Sequence, residues 1–217
     1  MTDYKLKTKT PAWQEHPRCS LEISLLTTKF DGSKLKATIE WVNRHFEACT
    51  INLADTLYRH NLAGTPHESP TQVARRLGDE WLLRNNEILD FLTVPYQVIR
   101  WDSFLNHPEF ASIQSYFEKL YQTDQIFRDL VDQDARMFVA RGESNRSMQN
   151  SVDFILEELA GDELHSRMYK YVYVYPGTPL SVQNYINEKN PSISFNKTKI
   201  IKVDFLRRRH SPQLCAA

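Results

Sequence analysis

Short segments rich in β-forming residues alternate along this chain with longer segments of helical periodicity. Parallel strands need long crossover connections, usually helices, so this alternation is typical of βαβ units. We predict strands over residues 19–26, 49–57, 94–101, 169–175 and 193–206. We predict helices over residues 34–46, 70–91, 103–122, 123–141, 146–160 and 179–189. The pattern predicts an α/β fold with a mostly parallel sheet flanked by helices.

Local signals refine the ends of these elements. Asp31 or Ser33 is suited to cap the first helix, and Ser69 before Pro70 fits an N-cap with proline at the first helical position. The first 17 residues are polar, contain two prolines and lack periodicity. We therefore predict a flexible N-terminal arm over residues 1–17 and a single catalytic domain over residues 18–217.

Composition excludes several classes of protein. The 217 residues include 27 basic and 27 acidic ones, which excludes a generically basic nucleic-acid binder but leaves room for a local basic patch. Three cysteines without CxxC spacing argue against a disulfide framework or a zinc site. The N-terminus has no apolar leader, and no run of 18 apolar residues occurs. We expect a cytoplasmic monomer with no metal and no membrane partner.

The common phosphate-binding and hydrolase motifs do not occur in the sequence. There is no GxGxxG, GxxxxGK[ST], HExxH or GxSxG segment. An enzyme that uses ATP, GTP or a dinucleotide through those motifs is therefore disfavoured. We predict that no cofactor is needed and that any substrate arrives already activated.

Ser24 lies near the end of the first predicted strand. Ligands of open parallel sheets bind outside the carboxyl ends of the strands, where a nucleophile would be useful. A serine at a strand end is also a common hydrogen-bonding loop residue, and no histidine can be assigned as its base.

Six segments of the chain resemble, in order, the tRNA-dependent cyclodipeptide synthases. They span about residues 20–180 and comprise Ile23-Ser24 with Phe30, Gly32, Lys34 and Leu35, then residues 54–61, 74–85, 98–102, 154–160 and 174–177. Each segment alone is a loose match, whereas six in register form a specific one. Tyr175-Pro176 resembles the XYP branch, in which an asparagine three residues after the nucleophile is replaced, here by Thr27.

The resemblance implies an aminoacyltransferase that makes a cyclic dipeptide, a 2,5-diketopiperazine, from two aminoacyl-tRNAs. It implies a Rossmann-like domain similar to the catalytic domain of class I aminoacyl-tRNA synthetases. It also implies a ping-pong reaction through an aminoacyl ester on Ser24. The ester of an aminoacyl-tRNA is already activated, which agrees with the missing ATP motifs.

The resemblance also implies which side chains act beside Ser24. Glu158 corresponds to the glutamate that handles the substrate amino group, and Tyr175 corresponds to the catalytic tyrosine before the proline. Thr27 and Pro176 are expected to contact substrate. The residues alone allow Glu158 to be a solvated glutamate, but given the resemblance we expect Glu157 to be the neighbour that faces solvent.

Two positions depart from the family pattern. Phe154 stands where a tyrosine is usual, so one hydroxyl that would bind the aminoacyl amine is missing. Glu22 stands two residues before Ser24, where a small residue often lines the first aminoacyl pocket. Its carboxylate either narrows that pocket or binds a polar group, unless the local register differs.

Two basic clusters are candidates for tRNA phosphate contacts. Arg75, Arg76 and Arg84 lie on the long helix of the third segment, where acidic residues dilute them. The second cluster is near the C-terminus and comprises Lys197, Lys199, Lys202 and Arg207, Arg208 and Arg209. Charge runs of this kind are usually solvated faces, and it is the resemblance that makes these two clusters candidates for phosphate contact.

Two other functions compete with cyclodipeptide synthesis. A stand-alone aminoacyl-tRNA ligase would share the fold, but HIGH- and KMSKS-like segments are absent. A non-catalytic tRNA- or partner-binding Rossmann module is the other alternative, and Phe154 would then be a sign of a decayed site.

Overall fold

The computed structural model describes residues 3–8, 16–25, 28–140, 147–176, 180–189, 193 and 200–207. Of the residues singled out above, Thr27, Gly177, Lys197, Lys199, Arg208 and Arg209 lie outside this part of the chain. Within the part described, no helix combines the length and apolar character needed to cross a membrane.

The described strands form one six-stranded sheet. They are β1 (Tyr4–Thr8), β2 (Arg18–Ile23), β3 (Ala48–Leu53), β4 (Tyr96–Arg100), β5 (Val172–Tyr175) and β6 (Ile200–Arg207). Their order across the sheet is β1-β6-β5-β2-β3-β4, and every neighbouring pair is parallel except β1 and β6. The predicted α/β fold with a mostly parallel sheet is confirmed.

Seven α-helices flank and connect the strands. They are α1 (Gly32–His45), α2 (Pro70–Leu89), α3 (Asp102–Leu105), α4 (Phe110–Thr123), α5 (Gln125–Ala140), α6 (Met148–Met168) and α7 (Ser181–Lys189), within the described part of the chain. The helix predicted over residues 103–122 is broken between α3 and α4, and the one predicted to end at residue 160 continues to Met168. The strand predicted over residues 49–57 ends at Leu53 and is followed by a 3-10 helix, Thr56–Asn61.

Local signals start the first two long helices as predicted. The Asp31 carboxylate accepts a hydrogen bond from Gly32 N at 3.0 Å. Gly32 has φ of +52°, a left-handed conformation that only glycine adopts at little cost. At α2, the Ser69 hydroxyl accepts from Gln72 N, and the Gln72 side chain accepts from Ser69 N, which completes a capping box before Pro70.

The predicted N-terminal arm is wrong for residues 4–8. These residues form β1, which pairs antiparallel with β6, so that Leu6 lies beside Phe205. Leu6 is buried, and the Tyr4 ring packs edge-on against Phe205 with centroids 6.2 Å apart. Burial of this apolar face and the hydrogen bonds of the ladder hold the segment on the sheet.

The core lies between the central strands and the helices that cover them. Leu21, Ile51 and Leu53 of β2 and β3 are fully buried. Polar residues of the same strands, Ser20 and Asn52, are buried as well. Strands covered on both faces normally read as continuous apolar runs, so these polar positions are exceptions that need hydrogen-bond partners inside the fold.

Candidate active site

Ser24 and Tyr175 lie at the same edge of the sheet. Ser24 directly follows β2, and Tyr175 is the last residue of β5. The two strands are parallel neighbours, with Leu21 beside Val174. The chain runs from β2 through α1 to β3 on one side, whereas β5 lies on the other side. This is a topological switch point, where the crevice beyond the strand ends binds ligands in α/β sheets.

Helix α6 brings a row of polar side chains to this part of the sheet. Glu158, Asp162 and His165 recur at helical spacing, and His165 Nδ1 is 3.9 Å from Glu22 Oε1. Asp162 O accepts a hydrogen bond from the Tyr173 hydroxyl at 3.4 Å. Glu158 is partly exposed and acts electrostatically on Glu22. Glu158 therefore lies close enough to Glu22 to influence the ionisation of its carboxyl.

Phe154 is a packing residue in the aromatic part of the same helix. It is buried, and its ring meets Tyr58 and Phe138 edge-on, each with centroids 5.8 Å apart. Edge-to-face rings of this kind stabilise a core beyond their area. Packing on both sides of the ring therefore holds Phe154 in the core.

Glu157, not Glu158, is the buried glutamate, so the prediction that Glu157 faces solvent is wrong. Its side chain is 1% exposed. Its carboxylate accepts from both terminal nitrogens of Arg59, and from Trp101 Nε1 at 2.8 Å. His60 Nε2 lies 2.9 Å from it. Burial opposes ionisation of this carboxyl, but the hydrogen bonds of His60 and Arg59 outweigh it and lower the pKa of Glu157.

Two of the six segments singled out in the sequence build the support beneath α6. Arg59 and His60 come from the segment 54–61, and Trp101 comes from the segment 98–102. Asp55 of the first of these is fully buried, pairs with Arg100, and accepts from Trp101 N at 3.2 Å. These two segments therefore form a polar scaffold that joins β3, β4 and α6.

Glu22 is held at the floor of the crevice by neutral donors. Its Oε1 accepts from the Ser20 hydroxyl at 2.7 Å, and its Oε2 accepts from Asn52 Nδ2 at 2.6 Å. Burial raises the pKa of Glu22 well above its usual range, and the nearby Asp162 adds to the effect, against these two hydrogen bonds. Glu22 is thus an embedded acid, where the resemblance alone suggested a small residue.

Asp162 and His165 continue this polar cluster. Burial raises the pKa of Asp162 to about 7, although its Oδ2 accepts from Gln183 Nε2 at 3.1 Å. Burial lowers the pKa of His165 to about 3, so the imidazole is neutral at physiological pH. The rings of Tyr171 and Tyr173 pack against His165, and their hydroxyls are 3.0 Å apart.

The cluster was only partly readable from the sequence. Asp162 and His165 follow Glu158 at i+4 and i+7, which places them on its face of a helix. Because the sequence predicts that the helix ends at residue 160, that signal was missed. Ser20 and Asn52 meet Glu22 only through the parallel register of β2 and β3, which the sequence does not reveal.

The three arginines of α2 are all exposed and all ion-paired within the chain. Arg75 pairs with Asp102 at 2.8 Å, and Arg84 pairs with Asp31 at 3.4 Å. Arg76 pairs with Glu68 at 3.2 Å and with Glu80 at 2.7 Å. Exposed pairs of this kind are worth little, so an incoming phosphate can replace the carboxylates.

A metal centre is not part of this arrangement in the residues described. Among them, no group of three or more His, Cys, Asp and Glu side chains is suited to hold a metal ion. Cys19 and Cys49 are both buried free thiols.

Several solved structures are similar to this chain. Neither a protein-family model nor a curated protein matches the chain. A cyclodipeptide synthase from Fluoribacter dumoffii is 24% identical, with a TM-score of 0.82 over 94% of this chain and 99% of that protein. One from Candidatus Glomeribacter gigasporarum, solved bound to Phe-tRNAPhe, is 16% identical, with a TM-score of 0.71 over 92% of each chain.

A third similar structure links this fold to the synthetases. It is a Mycobacterium tuberculosis protein, 14% identical, with a TM-score of 0.68 over 95% of this chain and 94% of that one. That structure is described as demonstrating that cyclodipeptide synthetases are related to type I tRNA synthetases. The similarity inferred from the six sequence segments is confirmed at the level of the fold. Along nearly its whole length, this chain has the fold of the cyclodipeptide synthases.

Proposed function

We propose that the chain is an aminoacyltransferase that joins the amino acids of two aminoacyl-tRNAs into a cyclic dipeptide. The observation that carries this proposal is the whole-length match to a cyclodipeptide synthase, with a TM-score of 0.82. A serine and a tyrosine at the two strand ends of the switch point support it, because a nucleophile is expected there.

The first half of the reaction moves one aminoacyl group to Ser24. The Ser24 Oγ attacks the carbonyl carbon of the first aminoacyl-tRNA, and the ester to the tRNA breaks. The serine proton leaves with the tRNA hydroxyl. One ester replaces another, so this step needs no ATP. A covalent intermediate of this kind gives ping-pong kinetics.

The second half forms two amides at the expense of the two remaining esters. The second aminoacyl-tRNA supplies the other residue. The amine of one residue attacks the ester carbonyl of the other and forms the first amide. The remaining amine then attacks the remaining ester carbonyl and closes the six-membered ring. The second tRNA and Ser24 leave with their hydroxyls restored. The net change is two aminoacyl-tRNAs to one cyclic dipeptide and two free tRNAs.

Glu158 and Tyr175 are the proposed partners of Ser24. The partly exposed Glu158 carboxylate would hold the ammonium of the aminoacyl group and accept its proton before the amine attacks. Tyr175, at the end of the neighbouring strand, would donate a hydrogen bond to an oxygen of the reacting ester. Pro176 follows it at the mouth of the crevice, and Thr27 would contact substrate from beyond β2.

The proposal is tested by the mass of the intact protein. Purified protein is mixed with total tRNA charged with all amino acids, without ATP or added metal, and the mass of the protein and of released products is measured. We expect a gain of one aminoacyl mass and a diketopiperazine product. Ser24→Ala should reduce both by at least about 100-fold. Ser112→Ala, which changes an exposed serine on α4, is the matched control and should behave as wild type.

Two outcomes would count against the proposal. If Ser24→Ala gains the aminoacyl mass as readily as wild type, Ser24 is not the nucleophile. If the wild-type protein binds tRNA but gains no mass and releases no product, the chain is the non-catalytic binding module instead.

A further inference from the structure

The floor of the crevice lies at a defined distance from Ser24. Glu22 is two residues before Ser24, which corresponds to about 7 Å along an extended strand. If the alternation of β2 continues to Ser24, both side chains are on one face of the sheet. Its carboxyl bonds to Ser20, two residues further back, and so turns away from Ser24. The Glu22 side chain is nevertheless 19% exposed. A group attached to Ser24 must therefore be long to reach this carboxyl.

Neither acid at this floor has a cationic partner in the described part of the chain. Glu22 accepts only from Ser20 and Asn52, and the Asp162 carboxylate accepts from Gln183. Elsewhere the protein neutralises its buried acids: Glu157, Asp55 and Glu163 pair with Arg59, Arg100 and Arg167, and Asp134 accepts from Val182 N at the start of α7. Buried charges are normally paired, so these two acids favour the neutral form until a cation from outside the chain joins them.

Unpartnered buried polar atoms surround the same carboxyl. His165 is fully buried, and neither of its ring nitrogens has a hydrogen-bond partner among the described residues, although Nδ1 is 3.9 Å from Glu22 Oε1. Asn52 Oδ1 is likewise buried without a partner in that part of the chain. Buried polar atoms in native proteins are nearly always hydrogen-bonded. A ligand group rich in N–H donors would satisfy the Asn52 oxygen and the acceptor nitrogen of His165.

The electrostatics of the cluster agree with a missing cation. Burial raises the pKa of Glu22 well above its usual range, and burial raises that of Asp162 to about 7. An opposite charge a few ångströms away lowers the pKa of a carboxyl and favours its ionised form. Binding of a cation would therefore convert both groups to paired carboxylates.

We propose that the first amino acid transferred to Ser24 has a cationic side chain, lysine or arginine, whose charged end binds Glu22 and Asp162. This inference rests on the proposed function and names the substrate class of the same site. The four-carbon stem of lysine, or the shorter stem and planar guanidinium of arginine, spans the depth between Ser24 and the acids. An apolar side chain of equal length would leave both acids buried and unpaired.

Pairs of equal-sized amino acids on one tRNA test the charge alone. A single tRNA is charged with lysine or with norleucine, and a second tRNA with arginine or with citrulline, so that tRNA recognition cancels within each pair. The rate at which wild-type protein gains the aminoacyl mass is measured for each. We expect the cationic member of at least one pair to load at least about tenfold faster than its neutral isostere.

Substitution of Glu22 tests whether this side chain recognises the charge of the substrate. Glu22→Gln keeps the size of the side chain, and we expect it to reduce the preference to about onefold while norleucine still loads. Glu188→Gln, an exposed glutamate on α7, is the matched control and should keep the wild-type preference. If Glu22→Gln does not fold, Asp162→Asn takes its place with the same expected loss of preference.

The outcomes separate this inference from the proposed function. Equal loading of both members of each pair, or a preference that survives Glu22→Gln, overturns the cationic subsite and leaves the aminoacyltransferase intact. Loading of other amino acids but of neither lysine nor arginine does the same. No aminoacyl mass from fully charged total tRNA overturns the proposed function itself.

Discussion

Adjacent glutamates on α6 differ in what surrounds them. Glu157 is enclosed by Arg59, His60 and Trp101, whereas Glu158 is partly exposed on the side of Glu22. Removal of the Glu157 charge would leave the Arg59 guanidinium, which is itself mostly buried, without its carboxylate. The first of these side chains therefore stabilises the fold, and the second is the one that we propose acts on the substrate.

We expect Glu157→Gln to lower the free energy of unfolding by about 2–4 kcal/mol at neutral pH. Because the folded-state pKa of Glu157 is lowered, its contribution is present above the unfolded value of about 4.3 and is lost as the pH falls through the folded value. The difference from wild type should therefore shrink as the pH falls below about 4. Urea unfolding at several pH values measures it.

Glu158→Gln is the matched control for that experiment. It should change the free energy of unfolding by less than about 1 kcal/mol, yet slow the formation of the cyclic product more than the loading of Ser24. Equal stability of the two variants would contradict the placement of Glu157 in the core.

The difference between these glutamates shows where residue-level prediction stops. Ser24 and Tyr175 could be placed at strand ends from the alternation and the family resemblance, because strand ends are local features. The partners of Glu157 are 56 to 98 residues away in sequence. Helical periodicity alone did not tell which of two neighbouring glutamates points inward, since nothing local in the sequence reports those distant donors.

At the scale of elements, β1 is the strand that the sequence did not predict. Lys5 and Lys7 alternate with Tyr4, Leu6 and Thr8 in this segment. Lysines on edge strands discourage pairing with other chains, and they also give the segment a polar composition. The alternation was present but short, and its partner β6 lies some 200 residues away, so composition favoured an arm.

Leu6→Ala tests whether β1 belongs to the folded unit. Leu6 lies on the edge strand β1, and its side chain is buried. We therefore expect its truncation to lower the free energy of unfolding by about 2–3 kcal/mol. Lys5→Ala changes the neighbouring exposed position and should stay within about 0.5 kcal/mol of wild type. Thermal or urea unfolding distinguishes the two variants. Equal stability would support the flexible arm predicted from the sequence instead.

Two helix predictions from the sequence were wrong, one where a signal was present and one where it was not. The break between α3 and α4 contains Pro108, which disfavours helix in the residue before it, so this signal was available in the sequence. The continuation of α6 past residue 160 was not available. Gly161 commonly signals a helix end, but here it sits against Trp101, where a Cβ would overlap the indole ring. Close packing, rather than a turn, requires that glycine.

At the scale of the whole molecule, a chain with no net charge must bind a polyanion through a local surface. Arg75, Arg76 and Arg84 are the exposed cations of α2, and each already has an acidic partner in the chain. The sequence showed that acidic residues lie among these arginines, but not which arginine each of them pairs with. Asp79 pairs with Arg100 rather than with a neighbouring arginine of α2, and Glu68 and Glu80 both pair with Arg76.

Reversal of two of these charges tests the surface as a tRNA contact. Each phosphate that a cation neutralises releases counter-ions and steepens the dependence of log K on log salt by about 0.7–0.9. We expect the double variant Arg76→Glu, Arg84→Glu to weaken tRNA binding by at least about tenfold near 100 mM salt and to flatten that slope by about 1–2.

Arg136→Glu, on an exposed position of α5 with its own acidic neighbour, is the matched control and should keep the wild-type slope. Fluorescence anisotropy with labelled tRNA between 50 and 200 mM salt measures all three proteins. An unchanged slope in the double variant would move the contact away from α2 and towards the basic residues near the C-terminus, where Lys202 and Arg207 lie on β6.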